Sequence, residues 1–421
     1  PAGLFCALRL AAYGIPVTML ERGKPVEERV QDVARFWRDG VLDPESNVQF
    51  GEGGAGTFSD GKLTCRLRDP NTGWVLDQLI RFGAPPEIRY QAKPHVGTDR
   101  LRRVVASLRA GLLENGAELR FATCLTDLVS SDGQLSAVRS NQQDELPCRH
   151  LVLAIGHSAR DTYAMLSRKN LVMEPKPFAI GLRVEHPQGL IDRIQYGKPH
   201  PALPRADYAL TYNNDLSKRS CYSFCMCPGG LVVASSSEAE MVTVNGMSNL
   251  GRDSGRANSA LVVNVRPEDF DGSDPLAGVR FQQQWERTAF TVGGGNYHAP
   301  AQNLLAFIGQ GNGGYNSSYR PGVVEADLST VLPEYVTETL REGIVSFDRK
   351  MKGFVTGEAT LTGVETRTSA PLRILRNENL QSPSLQGLYP CGEGAGYAGG
   401  IMSAALDGVR VADKIAEQFK P

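Results

Sequence analysis

Apolar positions at the start of the chain follow a helical period. Leu4, Ala7, Leu8 and Ala11 share a face, and Gly14 supplies the stop. Residues 17–20 then form a short apolar run that ends on Glu21. The same period returns in Leu101, Val104, Val105, Leu108 and Leu112, which predicts a helix capped by Thr98 and ended at Gly116. Strands are predicted at 117–123, 126–130, 135–139 and 148–155, with the Ser-Asp-Gly of 131–133 as a hairpin turn. From Glu21 to Lys93 no period stands out, and the stretch reads as glycine-rich and partly irregular.

Residues 176–350 read differently. Alternating runs at 178–185, 222–227, 230–236 and 261–265 predict strands, and a helix near 334–351 carries Val336, Leu340, Ile344, Phe347 and Met351 on one face. The tail returns to a strand at 388–391, a glycine-rich turn and a helix starting near Gly400. The economical topology is one domain split by another: residues 1–175 with 352–421, and 176–351 as the insertion. The opening helix, glycine, strand and acid form the second half of a dinucleotide-binding βαβ unit. Its first strand and first two glycines are expected before Pro1. The fold class is α/β, a Rossmann-like domain lacking its first strand, with an inserted β-rich α+β domain over the substrate.

Composition narrows the classes of partner. The 421 residues carry a net charge of −1, which argues against a nucleic-acid surface. No apolar run approaches the ~18–20 residues of a membrane span. The eight cysteines are dispersed, as reduced thiols of a cytoplasmic protein are. Cys221, Cys225 and Cys227 match no common metal spacing, nor do the six histidines, so no metal is expected. Cys225 and Cys227 read as sharing one face of a strand. Buried small hydrophobes is the favoured account of them, with redox thiols as the other.

Five of the nine residues from 392 to 400 are glycine. Such a turn lets a flat ring touch backbone. The N–H groups of Gly400, Ile401 and Met402, at a helix start, suit the edge of a flavin where negative charge builds on reduction. Glu393 is placed to bind a ribityl hydroxyl or to reach the pyrophosphate region. In 51–64, Gly56 to Lys62 imitates a P-loop, but Leu63 stands where the magnesium-ligating hydroxyl belongs, so an NTPase is rejected. Thr57, Ser59, Lys62 and the loop's N–H groups suit a pyrophosphate or flavin edge instead. The glycines of 309–314 follow a strand-like 304–308 yet precede no helix; they are expected to form a loop near substrate or flavin.

Residues 51–63, 151–163, 225–230, 363–371 and 392–408 together resemble bacterial FAD-dependent dehydrogenases of the glutathione-reductase-like flavoprotein superfamily. The resemblance spans nearly the whole chain and implies noncovalent FAD, an oxidoreductase activity and a further N-terminal segment ahead of the Rossmann strand. By motif position it assigns FAD contacts to Gly3, Glu21, Gly54, Thr57, Lys62, Gly156, Ser158, Gly392, Glu393, Gly400 and Ile401. The neighbouring Ala2, Arg22, Gly53, Ser59, Leu63, Ile155 and Gly399 complete that set. Cys124 or Leu125 is expected to present backbone to the adenine. Many relatives in the superfamily have Asp where Glu393 stands. Candidates near the reacting face are Tyr397, Arg367, Cys225 and Cys227. The expected reaction is hydride transfer between flavin N5 and a small organic substrate, with NAD(P)H a candidate transient electron donor. The alternatives are a flavin monooxygenase and an RNA-associated flavoprotein of the tRNA-modification type.

Overall fold

The first helix spans Ala2–Ala12 in the computed structural model, which describes residues 1–65, 68–198, 200, 202–270 and 272–419. It packs along the last helix, Ile401–Ala416, so closely that a side chain at Gly408 would stand 2.1 Å from the carbonyl oxygen of Ala2. Two parallel strand pairs lie against these helices: Thr18–Leu20 with Glu118–Arg120, and Leu388–Pro390 with Leu151–Leu153. Gly3 reaches both, since a Cβ there would be 3.4 Å from Ala154 and 3.9 Å from Met19. An antiparallel meander, Leu125–Ser131, Gln134–Ser140 and Glu145–Pro147, completes this part. The strands at 117–123 and 148–155 shrink to Glu118–Arg120 and Leu151–Leu153, because pairing lasts only as long as the three-residue partners.

Two other expectations are corrected here. Gly97, not Thr98, caps the helix Thr98–Glu114; the buried Thr98 hydroxyl instead donates to the Thr57 carbonyl at 2.7 Å. The stretch from Glu21 to Lys93 holds two helices, Val26–Asp39 and Thr72–Arg81. The first escaped notice because its buried face, Val26, Val33 and Phe36, also contains Arg29 and Asp32. Charged residues in an apolar stripe mask the helical period.

The insertion is built on a seven-stranded sheet. In spatial order its strands are Val323–Glu325, Ala299–Asn303, Thr360–Glu365, Phe178–Pro187, Arg256–Val265, Ser220–Cys227 and Thr211–Asn213. The helix Glu334–Lys350 lays Val336, Leu340, Ile344 and Phe347 into a core shared with Ile180, Leu182 and Val184. Thr360–Glu365 pairs directly with Phe178–Pro187, so the sheet runs past residue 351, where the sequence reading closed the insertion. A return strand of this kind is joined by long-range pairing, which local periodicity does not register. The strand-like 304–308 is a helical turn, Leu304–Phe307, capped by the Asn303 side chain. Among the described residues, no helix is long and apolar enough to cross a membrane.

Candidate functional site

The two packed helices begin close together. Gly400 caps Ile401–Ala416 at φ 138, a conformation open only to glycine, and among the described residues no side chain caps either helix. Their first-turn N–H groups therefore have no partner inside the helix. The loop of residues 51–58 lies beside both starts: a Cβ at Gly56 would be 3.2 Å from Ile401 and 3.9 Å from Pro1. Around this point some glycines are packed tight and others face open space. A Cβ at Gly392 would meet Ala2 at 2.7 Å, and one at Gly53 would meet Thr57 Oγ1 at 2.2 Å. At Gly156, Gly399 and Gly400 it would meet nothing within 4 Å. Gly394 presses on the Gly156 backbone, and Tyr163 OH fixes the turn by donating to the Gly394 carbonyl at 2.7 Å. The result is an open strip of backbone between two uncapped helix N-termini, which suits a flat ring and an anionic pyrophosphate.

One buried arginine holds the loop in shape. Arg29 donates to five carbonyl oxygens: Asn47 at 2.8 Å, Val48 at 3.0 Å, Gly51 at 3.2 Å, Glu52 at 2.6 Å and Gly54 at 3.0 Å. Burial brings its pKa down to about 10, opposed by Glu21 and Glu52, so it stays charged at neutral pH. Glu21 Oε1 accepts from the N–H groups of Gly23 at 2.9 Å and Gly51 at 3.0 Å. The acid expected at the ribose thus also ties its strand to the loop. Glu52 Oε2 accepts from Val26 N–H at 2.8 Å and from Arg109 at 3.1 Å, while its buried Oε1 has no partner among the described residues. Arg29 and Glu52 were missed by sequence reasoning. The available signal was a charge interrupting the stripe Val26, Val33, Phe36.

Glu393 sits in the open turn, and burial raises its carboxyl to about 7, with Lys176 pulling the other way. Cys225 is close enough to push it up further. Lys62 turns toward those cysteines: it donates to the Met226 carbonyl and pairs with Asp60 at 3.4 Å. Cys225 and Cys227 do not share a plain strand face. A bulge interrupts the pairing between Phe224 and Cys227, and Cys225 adopts φ 46.

The remaining sequence candidates separate. Ala2, Gly3, Gly54, Gly156, Gly392, Gly399, Gly400 and Ile401 converge as described. Thr57 and Ser59 bond within the loop, to Glu52 O and Gly56 O. Leu63 is a core side chain packed with Val96 and Leu101, because its strand-like segment faces inward. Arg22 stacks on Phe50 and bonds Asp161 and the Cys124 thiol. Leu125 and Ile155 pack against a neighbouring apolar cluster. Tyr397 lies under Arg376, 3.8 Å from its ring centroid. Arg367 is committed to Glu286 at 2.7 and 3.0 Å and to the hydroxyls of Ser158 at 3.1 Å and Ser237 at 2.6 Å. Arg160 grips the same Glu286 from the other side at 2.7 and 2.9 Å. That buried triad joins the helix Arg160–Arg168 to the helix Ala277–Val292 of the insertion. It locks one part of the chain to the other and leaves Arg367 few donors for a substrate. The loop at 309–320 packs on Asn303, Gly357 and Glu185, across the ends of the strands Ala299–Asn303 and Phe178–Pro187.

A family model described as "FAD-dependent protein, C-terminal domain-like" matches residues 177–368, the span of the seven-stranded sheet. An uncharacterised protein of Clostridium beijerinckii is 53% identical over 425 residues, covering 100% of this chain and 80% of that protein. Among solved structures, an L-proline dehydrogenase from P. horikoshii is similar at 14% identity and TM-score 0.36, over 99% of this chain and 91% of that one. A glycine oxidase from Bacillus cereus is similar at 10% identity and TM-score 0.35, over 100% and 94%.

Proposed function

We propose, for a chain that belongs to the FAD-dependent protein family, that it is an oxidoreductase moving hydride between flavin N5 and a small organic substrate held under the inserted sheet. The single observation that carries this reading is the strip of open backbone at Gly156, Gly399 and Gly400 between the two uncapped helix starts. FAD supplies the two-electron chemistry, and the protein supplies position and field. The first turn of Ala2–Ala12 and the loop at 51–58 are suited to the pyrophosphate, and Glu21 retains an oxygen for the ribose. The N–H groups of Ile401 and Met402 would stabilise negative charge at the ring edge. Glu393, holding its proton near neutrality, can donate a hydrogen bond without setting a second anion beside the phosphates.

The test is a visible spectrum of the purified protein followed by an anaerobic screen of candidate organic reductants and NAD(P)H. Stoichiometric FAD that is bleached by a small organic substrate and recoloured by an electron acceptor is expected. Protein that takes up no FAD when supplied with excess, or that turns over only with incorporation of oxygen into substrate, would overturn the assignment.

A further inference from the structure

Lys62 and Arg183 converge on one short piece of backbone. Lys62 Nζ donates to the carbonyl of Met226, and Arg183 Nη1 to that of Cys225 at 3.3 Å. Arg183 is itself buried and anchored by Glu365 at 2.9 Å and Asn258 at 2.7 Å. The piece they hold is the bulge, where pairing with Arg256–Val265 stops at Phe224 and resumes at Cys227 opposite Asn258. At φ 46, Cys225 occupies the left-handed region that a residue with a Cβ rarely adopts. Strain of this kind persists only where surroundings over-determine it, and it gathers at reactive sites.

The bulge changes what the two sulfurs can do. In a regular strand, residues two apart stand roughly 6.6–6.8 Å from each other, at the far limit of disulfide reach. The left-handed turn at Cys225 folds that span. Cys227 Sγ reaches back and donates to the Cys225 carbonyl at 3.3 Å, which brings the two side chains to one turn of backbone. Cys225 is half-buried and Cys227 fully buried. The neighbouring Cys227, then Lys62 and Arg183, draw Cys225 well below the ordinary thiol value, against burial and Asp60. Cys227 is held above it by the neighbouring Cys225 and by burial. Lys62 follows closely on the loop at 51–58, so its bond to the Met226 carbonyl ties the pair to the segment beside the two helix starts.

We propose that Cys225 and Cys227 are a redox-active pair that cycles between dithiol and intrachain disulfide and exchanges two electrons with the flavin. This rests on the FAD reading above. In the reducing direction the S–S bond breaks, Cys225 leaves as thiolate and Cys227 takes one proton; the two electrons and that proton come from the reduced flavin. In the oxidising direction the S–S bond forms and the same electrons and proton return to oxidised flavin. Lys62 and Arg183 stabilise the thiolate, and the half-exposed Cys225 is the end that an external thiol or disulfide can reach.

FAD-loaded protein, oxidised with glutathione disulfide and freed of it, is titrated anaerobically with dithionite. In parallel it is denatured, alkylated and mapped by peptide mass. Wild type should consume four electrons per FAD, and Cys225→Ser and Cys227→Ser two each. Cys225 and Cys227 should escape alkylation in the oxidised sample and both be labelled after the titration. Two electrons in wild type with both thiols alkylated from the start would overturn the proposal. So would a disulfide that survives full reduction of the flavin. These readouts need no turnover, and the alkylation map on wild type does not depend on how the variants fold. If no flavin spectrum appears, the FAD reading falls and the exchange with it, an outcome distinct from a loaded protein with two inert thiols.

Discussion

Arg29→Met keeps much of the length and apolar packing of the side chain and removes every donor. Of the five carbonyls it serves, Gly51 also accepts from Gly54 N–H at 2.9 Å, Glu52 from Thr57 Oγ1 at 3.2 Å and Gly54 from Thr57 N–H at 3.1 Å, so Asn47 and Val48 depend on it most. A hydrogen bond to a charged group contributes roughly 1.5–3 kcal/mol, and an orphaned buried acceptor costs about 1–3 kcal/mol. The five share one guanidinium and water can enter as the loop loosens, so the net loss is about 3–5 kcal/mol rather than the sum. At about 1.4 kcal/mol per tenfold, amide exchange across residues 47–54 should accelerate by roughly two to three and a half orders of magnitude. FAD should bind at least ~10-fold more weakly, since the loop must be re-ordered first. Arg29→Lys should recover less than half, because an ammonium lacks the planar fork that spans these oxygens. Arg35→Met, on the exposed side of the same helix, is the control and should change stability by less than about 0.5 kcal/mol. Hydrogen exchange read by mass spectrometry, with FAD titration, decides the matter. Unchanged exchange at 47–54 in Arg29→Met, alongside a fall in global stability, would reduce Arg29 to packing.

Two further predictions follow from the buried charges. Glu393 holds its proton up to about 7 against an ordinary 4.5, so the fold binds more protons than the unfolded chain in that interval. Its contribution to stability, and the affinity for FAD, should therefore fall as pH rises from 4.5 through 7 and level off above. Glu393→Gln should remove that step, and a wild-type FAD affinity that is flat across pH 7 would refute the assignment. Glu286 is held far below the usual carboxylate range despite its burial, by Arg160 and then Arg367. Its stabilisation is present above the unfolded value of 4.5 and lost only in strong acid. Glu286→Ala should cost about 3–5 kcal/mol in urea unfolding by stranding two guanidinium groups, and adding Arg160→Met and Arg367→Met should restore part of it. A triple variant no more stable than Glu286→Ala would show that the charges were not the cause.

Helical period, turn glycines and the run of strands were legible in the residues themselves. Ala2–Ala12, Thr98–Glu114, Glu334–Lys350 and Ile401–Ala416 all lie where spacing placed them, because a helix buries its face through neighbours three and four apart. The glycine turn at 392–400 was equally plain, since only glycine serves where backbone must stay bare. What the tertiary structure decided depends on partners far away in the chain. The strand Thr360–Glu365 belongs to the insertion because Phe178–Pro187 lies beside it, and no local pattern reports a partner so distant in sequence. Arg29 looks like one surface charge among several until the loop at 47–54 folds over it and its carbonyls replace water. Arg367 is tied up by a glutamate from a distant helix, and Cys225 is turned out of its strand by one extra residue. Periodicity records which face of an element is apolar. It cannot record which distant dipoles and charges will close around a polar group, and that is what built this site.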